Sequence, residues 1–343
     1  MNQYKFKSIF SLRVFVFLCL STLMFSVTFA KDKIPPLPFV PGSFTIAVMP
    51  DTQNYRGLKK NIRHFANQTK WIANNASKYN IAYVIHLGDI TQRNKPRGWL
   101  VAQKAMGILD KAKVPYSLAL GNHDYSWGKP KPQRRNSPLI NEYFKVEDFK
   151  KWPTFGGVAK AGKLNNSYHL FEANGTKFII LSLEWSPMHI TLAWANKIIA
   201  KYPERKAILV THAYLYHDNT RYDRKKPGQK WAPFSYPMYK GNINDGEMIW
   251  QKLVKKHKNF ILTLNGHVLG DGLGQLTSTG DHGNLVHQIL VNYQMVLPGG
   301  GAGYIRLIEF LPDGNTIQFR SYSTSLDKYK TDSQNQFILK LKK

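Results

Sequence analysis

Short apolar runs recur along the 343-residue chain, and five of them end in a cluster of polar residues. Each of these runs is rich in Val, Ile, Leu or aromatic residues, which is typical of a buried strand. Because strand ends that meet at one sheet edge bring together residues far apart in sequence, we expect the five clusters to form one site. The runs are Phe44–Met49 and residues 83–87, 116–120, 207–210 and 260–264, and the clusters are Asp51-Thr52-Gln53, Gly88-Asp89, Gly121-Asn122-His123-Asp124, Thr211-His212 and Gly266-His267.

Between the first three clusters the apolar spacing changes to that of a helix, at residues 58–78 and again at 99–112. This order of strand, polar loop, helix and strand predicts an α/β domain. Two turn dipeptides in the second half of the chain predict tight hairpins, so antiparallel pairs should accompany the parallel ones. The dipeptides are Asn174-Gly175 and Asp313-Gly314.

Two long segments show neither strand nor helix spacing. Residues 125–165 follow the GNHD cluster directly, and residues 213–245 follow His212. Loops of this length in a compact domain are usually functional or mobile. Their position beside the polar clusters favours a role in shaping a substrate site over simple surface elaboration.

The first 30 residues have the pattern of an export signal, with three basic residues before an apolar stretch that ends in Thr28-Phe29-Ala30. Cleavage would give a periplasmic or secreted protein without the only cysteine, Cys19. An uncleaved anchor is the alternative, because about 17 apolar residues approach the length of a membrane span. The predicted organisation is a signal peptide at 1–30, a Pro-rich linker at 31–42 and one domain at 43–343, with no later transmembrane helix.

The chain is strongly basic, with 48 Lys and Arg against 21 Asp and Glu and a formal net charge of +27. The predicted signal carries three of these positive charges and no acid, so its removal leaves +24. An excess of this size raises the local concentration of anions and speeds their capture. It suits phosphate esters, nucleic acid, anionic lipid or acidic polysaccharide and does not choose among them.

The five clusters combine carboxylate, amide and imidazole groups and contain no cysteine. Oxygen and imidazole ligands together suit a hard or borderline divalent ion such as Mn, Fe, Zn or Mg. The sequence therefore predicts a metal-dependent hydrolase.

In their order and residue types the clusters resemble the calcineurin-like metallophosphoesterase family, and GNHD is the most specific element. The opening MPDTQNY and the later GHVLGDGLGQLTSTGDHG resemble a secreted bacterial branch of that family. The resemblance implies a four-layer α-β-β-α sandwich of two mixed sheets. It also implies one or two divalent metal ions as cofactors.

The resemblance assigns metal ligands residue by residue. Asp89 would bridge two ions, and Asn122, His212 and His267 would complete one of the two sites. Asp51 and Gln53 would serve the companion site, which departs from the family pattern twice. Gln53 stands where a histidine is expected, and Leu269 stands where the second histidine of the GHxH cluster is expected. Asp271 has the wrong spacing for a simple replacement, so an ordinary turn is the favoured interpretation there.

The resemblance gives His123 and Asp124 a catalytic rather than a ligand role. His123 would stabilise the phosphoryl oxygens or protonate the leaving oxygen, and Asp124 would orient it. Arg221, Tyr222 and Trp231, in the long segment after His212, are candidates to stack on and neutralise an organic phosphate.

Two histidines are interpreted structurally. His86 lies within a strand run and is expected to be a buried imidazole with hydrogen-bond partners, not a ligand. His64 lies on a polar helix face and is expected to be solvated.

The sequence thus predicts an exported enzyme that hydrolyses a phosphomonoester or phosphodiester by a metal-activated water. The alternative is a metal-depleted relative that binds an anionic glycan, lipid or nucleic acid. We favour an enzyme for small organic or lipid phosphates over a nuclease, because the sequence contains no recognisable nucleic-acid-binding module. No obligate protein partner is evident from the sequence.

Overall fold

The structure, a computed structural model, describes residues 34–55, 59–127, 132–134, 139–236 and 242–342. The predicted signal peptide and Cys19 lie outside these residues. The described part of the predicted linker, residues 34–42, forms no regular helix or strand. Its backbone is held by the domain, because Leu37 N donates to Gln336 Oε1 at 2.7 Å and Val40 N donates to Glu309 Oε1 at 2.7 Å.

Strands make up most of the regular structure in the described residues. The apolar runs of the sequence form strands with bounds within two residues of those predicted. The strands are β1 Phe44–Met49, β2 Ile81–His86, β3 Tyr116–Leu118, β4 Ser126–Trp127, β5 Pro132–Arg134, β6 Phe155–Lys160, β7 Lys163–Ala173, β8 Thr176–Ser182, β9 Lys206–Val210, β10 Phe260–Asn265, β11 Leu273–Thr279, β12 Leu285–Val291, β13 Tyr304–Phe310, β14 Thr316–Ser323, β15 Lys328–Lys330 and β16 Phe337–Lys340.

Two mixed sheets dominate the fold, which confirms the predicted fold class. The first has the order β15-β14-β13-β1-β2-β3, with β16 also paired to β14, and β1, β2 and β3 run parallel. The second has the order β11-β12-β10-β9-β8-β7-β6, and β8, β9, β10 and β12 run parallel. The predicted hairpins are confirmed as β7–β8 and β13–β14.

Helices cover the outer faces of the two sheets. The two predicted after the first two clusters are present as α1 and α2, each with its apolar side buried against the first sheet. The bounds are α1 Lys59–Asn75, α2 Pro96–Lys111, α3 Ile140–Tyr143, α4 Val146–Phe149, α5 His189–Lys201 and α6 Gly246–Lys252.

Alternation along the strands explains the layered arrangement, since neighbouring side chains of a strand point to opposite faces. In β1, Ile46 and Val48 pack with Ile208 and Val210 of β9 in a core between the sheets. Ala47 and Met49 belong instead to the core shared with the helices. Both faces of β1 are therefore buried, which accounts for its continuous apolar sequence.

The segment 125–165 is more regular than the sequence indicated, so that expectation was wrong. It contains α3, α4 and the edge strand β6, which pairs with β7. The side chains of β6 are mostly half-buried or exposed on both faces, so the strand shows no alternation of apolar and polar residues. Such a strand gives no period-2 signal in the sequence.

The expectation for His64 was also wrong. Its side chain is buried, and Nδ1 lies 2.7 Å from Ser325 Oγ. Burial, and then the neighbouring Arg63, lower the pKa of the His64 imidazole. The C-terminal part of the chain covers α1 here, a contact that the helix sequence alone does not indicate.

Among the residues that the structure describes, no helix has both the length and the apolar character needed to cross a membrane.

Candidate metal centre

The five polar clusters meet at the carboxyl ends of five strands, three from the first sheet and two from the second. Asp89 follows β2, His212 follows β9 and His267 follows β10. One ligand atom from each of these three buried residues lies within 4.8 Å of the others. The strand ends thus bring a carboxylate and two imidazoles close enough to bind one ion.

Backbone carbonyl groups set the orientation of both imidazoles. His212 Nδ1 lies 2.8 Å from Leu87 O, which directs Nε2 to Asp89 Oδ2 at 3.1 Å. His267 Nε2 lies 2.9 Å from Trp231 O, which leaves Nδ1 as its ligand atom. A ring N–H held by a carbonyl is the usual support for a metal-bound histidine, because it fixes the tautomer and the ring plane.

Three buried amide oxygens at the site have no hydrogen-bond partner within the described part of the chain. They are Asn122 Oδ1, Gln53 Oε1 and Gln92 Oε1. Buried acceptors are almost always paired in native proteins, so unpaired ones gathered in one site indicate a missing partner. A divalent cation fits Asn122 together with Asp89, His212 and His267, because these groups supply the oxygen and imidazole donors that such ions bind.

Asp51 lies beside this group but is held by other contacts. Its Oδ2 is 3.8 Å from His212 Nε2, and both of its oxygens accept from His267 N, at 3.3 and 3.1 Å. Asn292 Nδ2 donates to Oδ2 at 3.1 Å and also to Val268 O at 3.2 Å. The carboxylate thus binds the turn that carries His267. Asn292 was not predicted, although it follows the apolar strand β12 as the other polar clusters follow theirs.

The electrostatics of the site are dominated by buried carboxylates. Burial, opposed by His212 and reinforced by Asp89, raises the pKa of Asp51 to about 7. Burial and then Asp89 raise the pKa of Asp124 to about 7 as well. For His212, burial disfavours the charged ring, but Asp89 and Asp51 outweigh it and raise the pKa to about 9. Asp51 and Asp89 therefore share the positive charge of His212, and this leaves a deficit of positive charge that a cation would remove.

Asp89 itself stays ionised. Burial acts to raise its pKa, but His212 and then His123 outweigh burial and hold the pKa below the usual range. Burial lowers the pKa of His267 to about 3, so this ring is neutral, as a metal ligand must be.

The turn that carries His123 is fixed by Asp124. Asp124 accepts hydrogen bonds from Ile90 N at 3.0 Å, Thr91 N at 2.7 Å and Gly121 N at 3.0 Å. His123 N donates to Asp89 Oδ1 at 2.8 Å, and the His123 side chain lines the cleft above the cluster. Asp124 thus positions the turn, and His123 faces the space where a substrate would lie.

The cleft has a volume of about 220 Å³. Trp231, one of the predicted substrate contacts, lines it together with Tyr236. The remaining lining residues are mainly carboxamides and ligands. The whole set in the described structure is Gln53, Asn54, Asp89, Gln92, Asn122, His123, Trp231, Tyr236, His267, Leu269, Gln294 and Met295.

Arg221 and Tyr222, the other two predicted substrate contacts, are not in this lining. Arg221 pairs with Glu247 at 2.5 Å and stacks on Trp250, 4.8 Å from the ring centroid. Tyr222 is fully buried, and its hydroxyl donates to Lys230 O at 2.9 Å. Arg221 thus contacts α6, and Tyr222 contacts the segment that carries Trp231.

The departures from the family pattern are visible at the cleft. Leu269 is half-buried in the cleft wall and brings no donor atom. Asp271 is exposed, and its Oδ1 accepts from Leu273 N at 3.1 Å, as in an ordinary turn. His86 is fully buried between Thr52 Oγ1 at 3.0 Å and Gly88 N at 3.2 Å, which confirms its structural role.

A family model of the calcineurin-like phosphoesterases matches residues 44–271, which include all five clusters. The chain belongs to this family. It is also 32% identical over 323 residues to the uncharacterized protein YvnB of Bacillus subtilis (strain 168). That alignment covers 91% of the chain but only 22% of YvnB, so the chain spans about a fifth of the length of this relative.

Two solved structures are similar in fold. A dimetal phosphatase from Danio rerio has a TM-score of 0.54 and 11% identity, over 87% of this chain and 99% of that one. The purple acid phosphatase PPD1 from yellow lupin (Lupinus luteus) seeds has a TM-score of 0.50 and 14% identity, over 89% of this chain and 55% of that one. Identities this low show a shared metallophosphoesterase fold and do not transfer a substrate.

Proposed function

We propose that this chain is an exported metal-dependent phosphoesterase that hydrolyses a phosphomonoester or phosphodiester. The observation that carries the proposal is the set Asp89, Asn122, His212 and His267. These residues combine fixed imidazole tautomers, an unpaired amide oxygen and an excess of buried negative charge. Export rests on the sequence pattern of residues 1–30 alone.

A bound divalent cation would supply Lewis-acid polarisation of a phosphoryl oxygen and lower the pKa of a bound water. The residues of this chain supply the surroundings for that chemistry. His212 and His267 hold their ligand nitrogens toward Asp89 because Leu87 O and Trp231 O fix the opposite nitrogens. Preorganised ligands of this kind need no rearrangement when a substrate binds.

In this proposal His123 acts on the leaving group. Its backbone is tied to Asp89, and its ring lines the cleft next to the ligands. Charged imidazole can hydrogen-bond the phosphoryl oxygens or give a proton to the departing alkoxide. Asp124 supports this role by fixing the turn through its three backbone hydrogen bonds.

The cleft surface suggests an organic group on the phosphate. Trp231 and Tyr236 provide aromatic surface, and Gln92 and Gln294 provide neutral hydrogen-bonding groups. The basic surface of the chain would raise the local concentration of an anionic ester before it enters the cleft.

The proposal is tested with the purified chain, loaded in turn with Mn, Zn, Fe or Mg and assayed on aryl and alkyl phosphate monoesters and diesters. We expect hydrolysis with at least one metal and none after chelation. An Asp89→Ala variant should bind no metal and hydrolyse no ester. A chain that loads metal but hydrolyses none of these esters would contradict the proposal and favour the alternative, a binding protein for an anionic glycan, lipid or nucleic acid.

A further inference from the structure

The two halves of the metal centre differ in the number and kind of ligands that they offer. One half has a shared carboxylate, an unpaired amide oxygen and two imidazoles with fixed tautomers. The other half also has an unpaired amide oxygen, on Gln53, but its only other group is Asp51, and it has no imidazole of its own. Within the described residues, the one set of three metal-binding side chains with ligand atoms inside 4.8 Å is Asp89, His212 and His267, and Asp51 is not part of it.

The contacts of Asp51 give it another task. Both carboxylate oxygens accept from His267 N, and Oδ2 also accepts from Asn292 Nδ2. His267 has a backbone φ of 74°, a left-handed conformation that is rare outside glycine. The hydrogen bonds that His267 N donates to Asp51 hold this turn in place, and the hydrogen bond that Asn292 donates holds Asp51. A strained ligand backbone of this kind persists only when its surroundings fix it.

The cleft lining is poor in further ligands for a second cation. Leu269 contributes only hydrocarbon, and Met295, which is 60% exposed, offers only a soft thioether. Gln53 and Gln294 bring neutral amides, which compensate little charge. Two divalent ions about 3.5–4 Å apart repel strongly, and two-metal sites offset this with charged and imidazole ligands on both sides.

We infer that this chain binds one divalent ion tightly, at Asp89, Asn122, His212 and His267, and that Asp51 is a positioning residue for His267. The inference concerns metal content and does not require the hydrolysis proposed above. It separates the chain from the Danio rerio protein of similar fold, which is a dimetal phosphatase. The absence of a second imidazole, at Leu269, is the structural reason.

Metal content tests the inference directly. The purified chain is stripped with a chelator and titrated with Mn²⁺, and bound ions are counted by elemental analysis and by electron paramagnetic resonance. We expect one tight ion per chain and the spectrum of an isolated Mn²⁺. Two ions of similar affinity, with the exchange-coupled spectrum of a pair, would overturn the inference.

A gain-of-ligand variant tests the reason. The double variant Gln53→His with Leu269→His should bind a second Mn²⁺ and show the coupled spectrum. Its matched control is Gln53→His with Leu269→Phe, which places a ring without nitrogen at residue 269 and should still bind one ion. If the folded double variant gains no ion, or if the phenylalanine control gains one, Leu269 is not the cause.

The role of Asp51 needs a spectroscopic readout. With Co²⁺ as the probe, Asp51→Asn should keep one ion and the same visible absorption bands, while affinity falls about 10- to 100-fold, the usual effect of losing a supporting contact behind a ligand. Asn292→Ala should act in the same direction. A changed Co²⁺ spectrum in Asp51→Asn would show that Asp51 is itself a ligand and would overturn the positioning role.

These outcomes are distinct from those for the proposed function. A chain that binds one ion and hydrolyses no ester would support the one-ion inference and contradict the proposed phosphoesterase function. A chain that hydrolyses esters with two equally tight ions would support the proposed function and contradict the one-ion inference.

Discussion

The two ends of β1 bury charge in opposite ways. At the amino end, where Thr45 pairs with Glu309 of β13, Glu309 and Arg320 form a fully buried ion pair at 2.6 Å. Arg320 also donates to Leu37 O at 2.6 Å. At the carboxyl end, the two carboxylates of Asp51 and Asp89 share the single charged partner His212. The buried charges are thus matched at the amino end, which indicates architecture, and unmatched at the carboxyl end, which indicates a site for a cation.

The largest effect should come from removing charge at the unmatched end. Asp89→Asn keeps the shape of the side chain, and asparagine tolerates the backbone φ of 47° at this position. We expect metal affinity to collapse and hydrolysis to fall by at least about 10³-fold, because the cation supplies several kcal/mol of transition-state stabilisation. Exposed Asp271→Asn is the control and should leave both unchanged. Metal analysis and initial rates measure the result, and full occupancy in Asp89→Asn would refute the ligand assignment.

The next effect concerns His123, whose side chain lines the cleft and is not one of the predicted ligands. His123→Ala should keep metal and fold while losing about 10²–10⁴-fold in rate, the usual contribution of a positioned acid. The loss should be largest for alkyl esters and smallest for nitrophenyl esters, whose leaving group departs with little protonation. Equal losses on all esters, with a lower melting temperature, would indicate a structural histidine instead.

At the matched end the effect should fall on stability and not on metal. Glu309→Gln leaves Arg320 buried without a charge partner, which should cost about 3–5 kcal/mol of unfolding free energy. Glu147→Gln is the matched control, because Glu147 pairs with Lys150 at 3.7 Å on the surface and should contribute at most about 1 kcal/mol. Denaturant unfolding measures both variants. Altered metal affinity in Glu309→Gln would break the separation between the two ends.

The smallest effect is a pH dependence of stability that arises from His169. Burial is the only cause of its pKa shift, so it extends the comparison to a buried group without a charged partner. Burial lowers the pKa of His169 to about 3, so the native ring stays neutral while the unfolded one takes up a proton below about 6.5. The unfolded state therefore binds more protons, and this group removes stability as pH falls from about 6.5 to 3. Between pH 6 and 4, wild-type unfolding free energy should fall about 1.4 kcal/mol per pH unit faster than that of His169→Gln. Equal slopes of unfolding free energy against pH in the wild type and His169→Gln would contradict the lowered pKa of His169.

Much of the fold was legible because both faces of the central strands are buried. The runs that became β1, β2, β9 and β10 are continuously apolar and end abruptly in polar residues. That contrast marks the strand end and the ligand together, so the order of the clusters predicted both the sheets and the site. The hairpins were equally clear, because Asn-Gly and Asp-Gly have the conformations that tight turns need.

The misses have physical reasons as well. Strand β6 lies at a sheet edge and buries neither face fully, so no period marks it. His64 is covered by residues more than 200 positions away, a contact set by tertiary packing. The carbonyl groups of Leu87 and Trp231 that orient the imidazoles belong to the backbone. Every residue has such a group, so the sequence does not indicate which ones bind the imidazoles. Asn292 alone had a readable signal, the polar residue after an apolar strand.

The glycines of the GN and GH pairs serve close approach and not backbone freedom. A side-chain carbon on Gly121 would lie 2.1 Å from Asp89 Oδ1, and one on Gly266 would lie 2.1 Å from Asp51 Oδ1. No larger residue fits at either position without displacing a carboxylate. These glycines take no part in the chemistry, yet a pattern search for distant relatives should weigh them as heavily as the ligands. Each glycine in the sequence marks a position where a carboxylate lies directly against the main chain.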